Sequence, residues 1–341
     1  MARTFQTAII QSPKAQNTAS TELSLTVAHD LATPCLPLSS PYHVLIRVLA
    51  VALNPTDFKI IKHFAMPGRV VGCYFCGVVE VGLASHPGGT RVCGGMFPAR
   101  FSQYVVVDVR LLIKVPSSLT NLQGAALGGV GWGTAGLALL GKDALSLPEE
   151  REGSRKSKPI LVYGGATATG TMALQVLKMC AFFGPNTSVV HYTSPDYEAT
   201  ILFIAQRPIR HVLDCITSVE SAATCFRVIA RVGGRYACLE MLPEAWRTRR
   251  AVKIREVMGY ECLGVPVDFG PESSYSRKAD TGAFDACIRW AKRLQDLVDS
   301  GLIQPHPIRE IEGKWDGIIR GLHMQQRGEV RGEKPVVNIE A

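Results

Sequence analysis

The 341-residue sequence lacks any long uninterrupted apolar run. A membrane-spanning helix needs roughly 20 consecutive apolar residues, so the sequence predicts no transmembrane segment. The amino-terminal residues, MARTFQTAIIQSPKAQ, also lack the apolar core that a secretory signal carries. These two absences favour a cytoplasmic protein that has no membrane partner.

Metal-ligand patterns are scarce, although the chain has ten cysteines. A structural zinc site needs four ligands at close spacing, and the sequence has one C-x-x-C, formed by Cys73 and Cys76. One pair does not make a site. We therefore predict no metal and expect both thiols to pack in a core.

Basic residues interleaved with aromatic residues, which are typical of nucleic-acid-binding surfaces, are also lacking. The net charge is +8, and the densest basic stretch, from Arg247 to Arg255, has Trp246 as its one aromatic neighbour. We interpret the stretch as an ordinary solvated face, with contact to an acidic partner or a phosphate as the alternative. No nucleic-acid partner is expected.

The most informative segment of the sequence spans residues 159–180, PILVYGGATATGTMALQVLKMC. Its pattern predicts a strand, a tight turn at Gly164 and Gly165, and a helix onto which Gly170 allows close packing. The amides at a helix N-terminus suit a pyrophosphate. Because the turn departs from G-x-G-x-x-G, plain helix-on-sheet packing is the alternative. Three hydroxyls could donate further bonds to phosphate, those of Thr167, Thr169 and Thr171.

The residues after this helix bear on the choice of dinucleotide. Residues 187–193, TSVVHYT, predict a second strand, as a dinucleotide-binding βαβ unit requires. A site for NAD usually carries Asp or Glu at the end of that strand, whereas this chain has Thr-Ser-Pro there. Hydroxyls, with Lys178 as charge support, favour NADP over NAD, although Asp196 lies close by.

The distribution of strands and helices predicts two domains. Residues 4–122 are β-rich, with short segments separated by proline and glycine, which is typical of a compact β-barrel-like domain. A helix is expected over 122–140, leading into an α/β dinucleotide-binding half. Further helices are expected over 197–206, 221–231, 280–301 and 315–326, with strands over 160–163, 211–216, 234–239 and 336–339.

Together these segments resemble the medium-chain dehydrogenase/reductase superfamily, which has a GroES-like catalytic domain and a Rossmann domain. The resemblance implies domains at 1–122 with 306–341 and at 123–305. More closely, the chain is similar to the fungal trans-acting enoyl reductases of highly reducing polyketide synthases. The matching segments cover nearly the whole chain: VLAVALNPTDFK (48–59), AALGGVGWGTAGLAL (125–139), LVYGGATATGTMALQVLKM (161–179), LDCITSVES (213–221) and GEVRGEKPVV (328–337).

This resemblance implies a chemistry. NADPH would deliver hydride to the β-carbon of an α,β-unsaturated thioester held by a synthase carrier domain, leaving an enolate to be stabilised and protonated. Lys59 is the expected catalytic group beside the nicotinamide, with a surface lysine as the alternative. Thr134 is expected to hydrogen-bond the substrate carbonyl, with a hydroxyl bonded to its own helix backbone as the alternative.

The resemblance also implies a monomer and supports the absence of a metal. Relatives that use a catalytic zinc commonly carry Gly-His-Glu where this chain has Gly72, Cys73 and Tyr74. Positions that match the family's cofactor contacts are Thr56, Asp57, Phe58, Lys59, Ala166, Thr167, Ala168, Thr169, Ser194, Pro195, Asp196, Tyr197, Leu242, Pro243, Val336 and Val337. Positions that match the walls of its acyl pocket are Ala135, Gly136, Leu137, Ala138, Leu139, Leu140, Gly141, Lys142, Glu261, Cys262, Leu263, Gly264 and Val265.

The chain is shorter than the family pattern after Pro195. The family has a helix, a strand and a second helix where this chain has only SPDYEATILFIAQRPIR (194–210). One αβ unit is therefore expected to be missing from the Rossmann sheet. Two alternatives to the enoyl reductase remain open: a free-standing quinone or enal reductase, and a degenerate relative that binds the cofactor or the synthase without catalysis.

Overall fold

The computed structural model describes residues 4–13, 22–38, 40–95, 100–148, 158–179 and 187–340. These residues fall into two compact units. Unit 1 takes in the described residues of Met1–Gly131, Phe269–Pro271 and Cys287–Ala341, and unit 2 takes in those of Trp132–Asp268 and Glu272–Ala286.

The strands coincide with the β-branched runs of the sequence, as the packing of such side chains on a pleated surface favours. In chain order they are β1 (Phe5–Gln11), β2 (Leu25–Ala32), β3 (His43–Ala52), β4 (Tyr74–Val81), β5 (Arg91–Gly94), β6 (Tyr104–Asp108), β7 (Ile113–Lys114), β8 (Ile160–Tyr163), β9 (His211–Asp214), β10 (Gly234–Cys238), β11 (Val252–Glu256), β12 (Ile308–Glu310) and β13 (Lys334–Asn338).

The helices are α1 (Pro55–His63), α2 (Asn121–Leu127), α3 (Val130–Leu140), α4 (Ala168–Met179), α5 (Tyr197–Ala205), α6 (Val219–Val228), α7 (Thr281–Asp299) and α8 (Lys314–Gln326). Among the described residues, no helix has both the length and the apolar character needed to cross a bilayer. Four helices expected from the sequence, now α5, α6, α7 and α8, are confirmed to within a few residues.

The larger sheet of unit 1 has the order β12-β13-β3-β4-β5-β7, and β6 also pairs with β3. Its central strand, β3, has mostly buried side chains because both of its edges are paired and its faces meet the core. The C-terminal strand β13 lies antiparallel to β3, with Val336 opposite Ala52. This pairing brings the end of the chain beside the residues that lead into α1.

The sheet of unit 2 is parallel throughout, with the order β11-β10-β9-β8. Strands β8 and β9 are neighbours, and the described residues between them form α4 and α5 but no strand. The strand predicted over 187–193 is therefore wrong. Val189 is 80% exposed and Tyr192 is 67% exposed, whereas Val190 is half-buried against the core of unit 2.

The helix predicted over 122–140 is divided into α2 and α3. Gly128 breaks it with a φ of +44°, and a Cβ at this residue would overlap the ring of Tyr74. Glycine tolerates both the positive φ and the close approach of the ring. The break is thus set by a contact with β4, which local sequence does not reveal.

Candidate active site

The turn after β8 has the geometry of a capped helix N-terminus. Gly164 takes a φ of +78°. The hydroxyl of Thr167 donates to the carbonyl oxygen of Gly164 (2.9 Å) and accepts the N–H of Gly170 (3.0 Å). This pair of bonds fixes the turn and satisfies one of the orphan N–H groups at the start of α4.

Gly170 provides the close helix-to-strand approach that the sequence predicts. A Cβ at this position would overlap the carbonyl oxygen of Gly164 and lie 2.9 Å from the Cα of Gly165. Only a residue without a side chain leaves the turn and the helix this close. The glycine therefore shapes the turn in front of the helix.

The turn retains hydrogen-bond donors for a pyrophosphate, although fewer than predicted. The N–H groups of Ala166, Ala168 and Thr169 bond to none of the described residues, and neither does the hydroxyl of Thr169. The hydroxyls of Thr167 and Thr171 are already donating to backbone carbonyls. Backbone amides at a helix N-terminus suit an anion, so the turn fits the pyrophosphate of a dinucleotide.

The segment expected to select NADP over NAD differs from the prediction. Residues 187–193 do not form the strand whose end would hold the adenosine ribose. Lys178 is exposed in the last turn of α4, about 15 Å along the helix from Ala168 at 1.5 Å per residue. Lys178 therefore lies far from the phosphate turn, and its role as charge support for a 2′-phosphate beside residues 193–195 stays a prediction.

Residues 194–197 lead directly into α5. Ser194 donates its N–H to His191, and Tyr197 donates its N–H to Ser194. The hydroxyl of Tyr197 lies 2.5 Å from that of Thr224 on α6. Pro195 and Asp196 are exposed beside them. Within unit 2, the Tyr197 hydroxyl is thus engaged in holding α5 on α6.

The LDCITSVES segment is organised by one buried carboxylate, that of Asp214. Asp214 is fully buried at the end of β9, where its Oδ1 accepts the N–H groups of Ile216 and Thr217, each at 2.9 Å. Its Oδ2 accepts the hydroxyls of Ser221 (2.7 Å) and Tyr236 (2.8 Å). Four donors compensate the burial of one charge and fix the loop between β9 and α6.

In unit 1, the N-P-T-D motif forms the start of α1. Asn54 is the N-cap residue, Pro55 occupies the first helical position, and Asp57 accepts the Asn54 N–H through Oδ2 at 2.7 Å. This is the backbone-accepting half of a capping box, which the spacing of Asn and Asp could have predicted. Lys59 is half-buried in the middle of this helix, and Thr56 and Phe58 are half-buried beside it.

The start of α1 belongs to a buried polar cluster that the sequence did not predict. Lys334, at the first residue of β13, is 3% exposed, and its Nζ donates to Oδ1 of Asn54. Burial lowers the pKa of Lys334 to about 8, against the opposing effects of Asp57 and Cys73. Burial likewise raises the pKa of Asp57 to about 6, although Cys73, Asn54 and Lys334 act in the opposite direction.

Tyr74 extends this cluster to the start of α3. The ammonium of Lys334 lies 4.3 Å from the centroid of the Tyr74 ring, which is a cation–π distance. The Tyr74 hydroxyl accepts the N–H of Gly131. Burial raises the pKa of Tyr74 far above its usual range. Tyr74 thus acts as a packed, hydrogen-bonded ring.

The cysteines of the C-x-x-C pair lie in the core as predicted. Cys73 is 2% exposed and Cys76 is fully buried, and neither forms a disulfide. Burial raises the pKa of Cys76 to about 12, which disfavours the thiolate that a metal would need. No group of three or more potential metal ligands occurs in the part of the chain that the structure describes.

Several predicted cofactor contacts have almost no exposed surface. Val336 and Val337 are fully buried in β13, and Leu242 is 1% exposed in the core of unit 2. Pro243 is exposed next to Leu242. Their role in cofactor binding stays a prediction.

Thr134 lies on α3 and is 5% exposed. Its hydroxyl makes no hydrogen bond to any described residue, so the alternative in which it bonds to its own helix backbone is not realised. The predicted acyl-pocket residues follow on the same helix. Ala135, Ala138 and Leu139 are fully buried, whereas Lys142 beyond the helix is exposed.

An arginine joins the two predicted acyl-pocket segments. The guanidinium of Arg255 lies 2.7 Å from Oδ2 of Asp143, next to Lys142, and 2.8 Å from Oε2 of Glu261. Glu261 is 6% exposed, and Arg277 lies 3.9 Å from its Oε1. Segments 135–142 and 261–265, far apart in sequence, are thereby brought together in unit 2.

The basic stretch from Arg247 to Arg255 is not simply a solvated face, as we had interpreted it. Arg249 donates to four backbone carbonyls at the end of α6, those of Phe226, Ile229, Ala230 and Arg231. Arg247 bonds to Leu242 and Glu256. Three arginines of this stretch, Arg247, Arg249 and Arg255, therefore neutralise carboxylates or cap a helix, which weakens the alternative of an acidic partner.

Comparisons with known proteins agree with this architecture. The alcohol dehydrogenase GroES-like domain matches residues 40–117. The crystal structure of the CurK enoyl reductase superposes with a TM-score of 0.70 at 16% identity, over 98% of this chain and 99% of that chain. The chain therefore has the GroES-like and Rossmann-type α/β fold of the medium-chain dehydrogenases/reductases.

Two curated relatives are much closer in sequence. The trans-enoyl reductase calK of Penicillium decumbens is 43% identical over 376 aligned residues, covering 99% of both chains. The trans-enoyl reductase sthE of Phaeosphaeria nodorum is 45% identical over 363 residues, covering 98% of this chain and 97% of the relative. Both alignments exceed the 341 residues of this chain, so the relatives carry stretches that it lacks. The chain belongs to the fungal trans-enoyl reductases, an oxidoreductase family of polyketide biosynthesis.

Proposed function

We propose that the protein is a trans-acting enoyl reductase that uses NADPH to reduce α,β-unsaturated acyl thioesters carried by a highly reducing polyketide synthase. The observation that carries this proposal is near-full-length similarity, at 43–45% identity, to two trans-enoyl reductases. The phosphate turn at the start of α4 supports it, because its amides and glycines suit a dinucleotide. We further propose that it acts as a cytoplasmic monomer.

The phosphate turn would hold the pyrophosphate of NADPH. The donors would be the N–H groups of Ala166, Ala168 and Thr169 and the hydroxyl of Thr169, which bond to no described residue. When bound, NADPH supplies the hydride that adds to the β-carbon of the acyl group. The negative charge that develops on the thioester oxygen then requires stabilisation.

The chain's own residues would meet that requirement. We propose that Lys59 places its ammonium near the developing enolate and supplies or relays the proton that the α-carbon takes up. The hydroxyl of Thr134, which makes no hydrogen bond to any described residue, would donate to the thioester carbonyl. Each group interacts more strongly with the charged transition state than with the neutral substrate, which is what accelerates the reaction.

One observation favours a second candidate, a degenerate relative that binds the cofactor or the synthase without catalysis. The parallel sheet of unit 2 has four strands in its described part, and no strand stands where the adenosine half of the cofactor is usually held. A free-standing quinone or enal reductase would use the same chemistry on small electrophiles.

The proposed partner can be tested with one acyl group offered in two forms. A but-2-enoyl group is loaded on the pantetheine arm of a synthase carrier domain or on free pantetheine, and the saturated product is measured by mass spectrometry. We expect kcat/KM to be at least about tenfold higher for the carrier-bound form, since the carrier domain adds binding energy. Equal values would contradict carrier recognition, and no product from either form would favour the degenerate relative.

The proposed cofactor site can be tested by titrating NADP⁺ calorimetrically into Gly170→Ala. The added Cβ would overlap the Gly164 carbonyl, so we expect affinity to fall at least about tenfold. Gly282→Ala is the matched control, because its Cβ would meet only an Asp280 side-chain oxygen at 3.3 Å. Unchanged affinity in Gly170→Ala would show that the dinucleotide binds elsewhere.

A further inference from the structure

The buried cluster at the start of α1 takes no direct part in the proposed transfers of hydride and proton, although Asp57 is a predicted cofactor contact. Its members, Asn54, Asp57, Tyr74 and Lys334, are each at most 5% exposed. Burying an ammonium and a carboxylate carries a large desolvation cost, and apolar side chains of similar volume often stabilise a fold equally well. Stability alone therefore gives no reason for these charges, whereas a requirement for one defined geometry does.

The cluster links α1 to the C-terminal strand by a short chain of contacts. Lys334 Nζ donates to Oδ1 of Asn54, the N-cap residue of α1. The N–H of Asn54 donates to Asp57 at 2.7 Å, inside the first turn of the helix. The backbone adds one bond on the same side, since Leu53 donates its N–H to Pro335 at 2.9 Å. Lys334 is thus the side chain through which β13 holds the cap of α1.

This link bears on Lys59, which lies two residues beyond Asp57 on the same helix. A helix of nine residues is held in direction mainly by its ends and its buried face. The buried face of α1 is narrow: Ile61 is 2% exposed, Phe58 is half-buried against the same core, and the Gln11 side chain donates to the carbonyl oxygen of Ile61 at 3.0 Å. The direction of α1 therefore depends on Gln11 at its carboxyl end and on the Asn54 cap at its amino end.

We propose that Lys334 is a positioning residue for the reduction: by holding the Asn54 cap it sets the direction of α1 and so places Lys59. This rests on the proposed function, in which Lys59 stabilises the enolate. Lys334 itself is 3% exposed and contacts Asn54 and Tyr74, so its proposed role is exerted through Lys59.

The test is a double-mutant cycle made of the wild type, Lys334→Met, Lys59→Ala and the double variant. We expect Lys334→Met to lower kcat about tenfold or more, with KM for NADPH changed less than about twofold. If Lys334 acts through Lys59, the substitution Lys334→Met should lower kcat no further when residue 59 is already alanine. Equal losses in both backgrounds, or unchanged kcat in either single variant, would overturn the proposal.

Two further variants separate positioning from loss of charge or of fold. Asn54→Ala removes the acceptor of Lys334 and keeps both buried charges, so it should repeat the kinetic pattern even where Lys334→Met does not fold. Lys62→Met removes an exposed ammonium from the same helix and should leave kcat unchanged. A normal kcat in Asn54→Ala would contradict the proposal.

Amide hydrogen exchange keeps the proposal testable when the wild type shows no turnover. We expect Asn54→Ala to exchange the amides of residues 56–63 at least about tenfold faster than the wild type, with β3 unchanged. Unchanged exchange in α1 would refute the positioning role. If the wild type shows no turnover but α1 exchanges faster in Asn54→Ala, the proposed function is contradicted and the positioning role is supported.

Discussion

The two clusters of charge that fix candidate active-site segments differ sharply in burial. In unit 1, Lys334 and Asp57 are 3% and 2% exposed. In unit 2, the Arg255 side chain is 24% exposed, and that of its partner Asp143 is 67% exposed. Water can replace Asp143 beside Arg255, and Arg277 still lies 3.9 Å from the buried Glu261, whereas Asp57 in the first cluster is shielded from water. The link that holds α1 therefore tolerates less change than the one that joins the acyl-pocket segments.

The largest effect on stability is expected from Lys334→Met, which leaves Asp57 buried without its counter-charge. The free energy of unfolding should fall by about 3 to 5 kcal/mol. The double variant Asp57→Leu with Lys334→Met removes both charges and should regain most of this loss. Chemical denaturation measures both values. If Lys334→Met is as stable as the wild type, the two clusters do not differ in stability as we expect.

The buried cluster should also make stability depend on pH. Burial lowers the folded-state pKa of Lys334 from 10.5 to about 8, against the opposing effect of Asp57. Between these values the unfolded chain binds a proton that the folded chain has lost, so the contribution of Lys334 to stability rises with pH. We expect the wild type to gain stability relative to the double variant between pH 8 and pH 10, as thermal unfolding would measure. A relative loss in that window would contradict the assignment.

Arg255→Met should have a smaller effect on stability, about 2 kcal/mol, because the pair with Asp143 is largely exposed and the buried Glu261 keeps Arg277 as a second cation 3.9 Å away. Its functional effect should be selective. Since Arg255 ties segments 135–142 and 261–265, we expect kcat/KM to fall about threefold more for a long acyl thioester than for a short one. Steady-state kinetics over a series of chain lengths measures this, and a uniform change would contradict the pocket assignment.

The smallest effect is expected at Lys253, an exposed residue of β11. Lys253→Ala should change the free energy of unfolding by less than about 0.5 kcal/mol. Thermal unfolding at equal ionic strength measures it. A loss as large as that of Arg255→Met would mean that removal of any positive charge near this strand destabilises the unit.

Strongly patterned elements could be predicted from the sequence. The amphipathic helix expected over 280–301 is α7, with Leu294 and Val298 buried on the predicted face. The phosphate turn was predicted because glycine, hydroxyl and small residues constrain local backbone geometry. Local rules suffice where the contacts that decide a structure lie within a few residues of each other.

The remaining features depend on contacts between distant residues. Lys334 meets Asn54 across 280 positions, and Arg249 caps a helix that ends about twenty residues earlier. The run TSVVHYT has strong β propensity, yet a strand needs a paired neighbour, and none is present beside it in the described sheet. Single-sequence reasoning cannot supply these partners.

The measurement that tests the central claim most directly is NADPH oxidation by the purified protein, followed at 340 nm. It is offered an α,β-unsaturated acyl-pantetheine thioester and, separately, a quinone. We predict turnover of the thioester, a saturated product, and a kcat at least about tenfold lower in Lys59→Ala. Turnover of the quinone alone, or of neither compound while the protein binds NADPH, would contradict the assignment as an enoyl reductase.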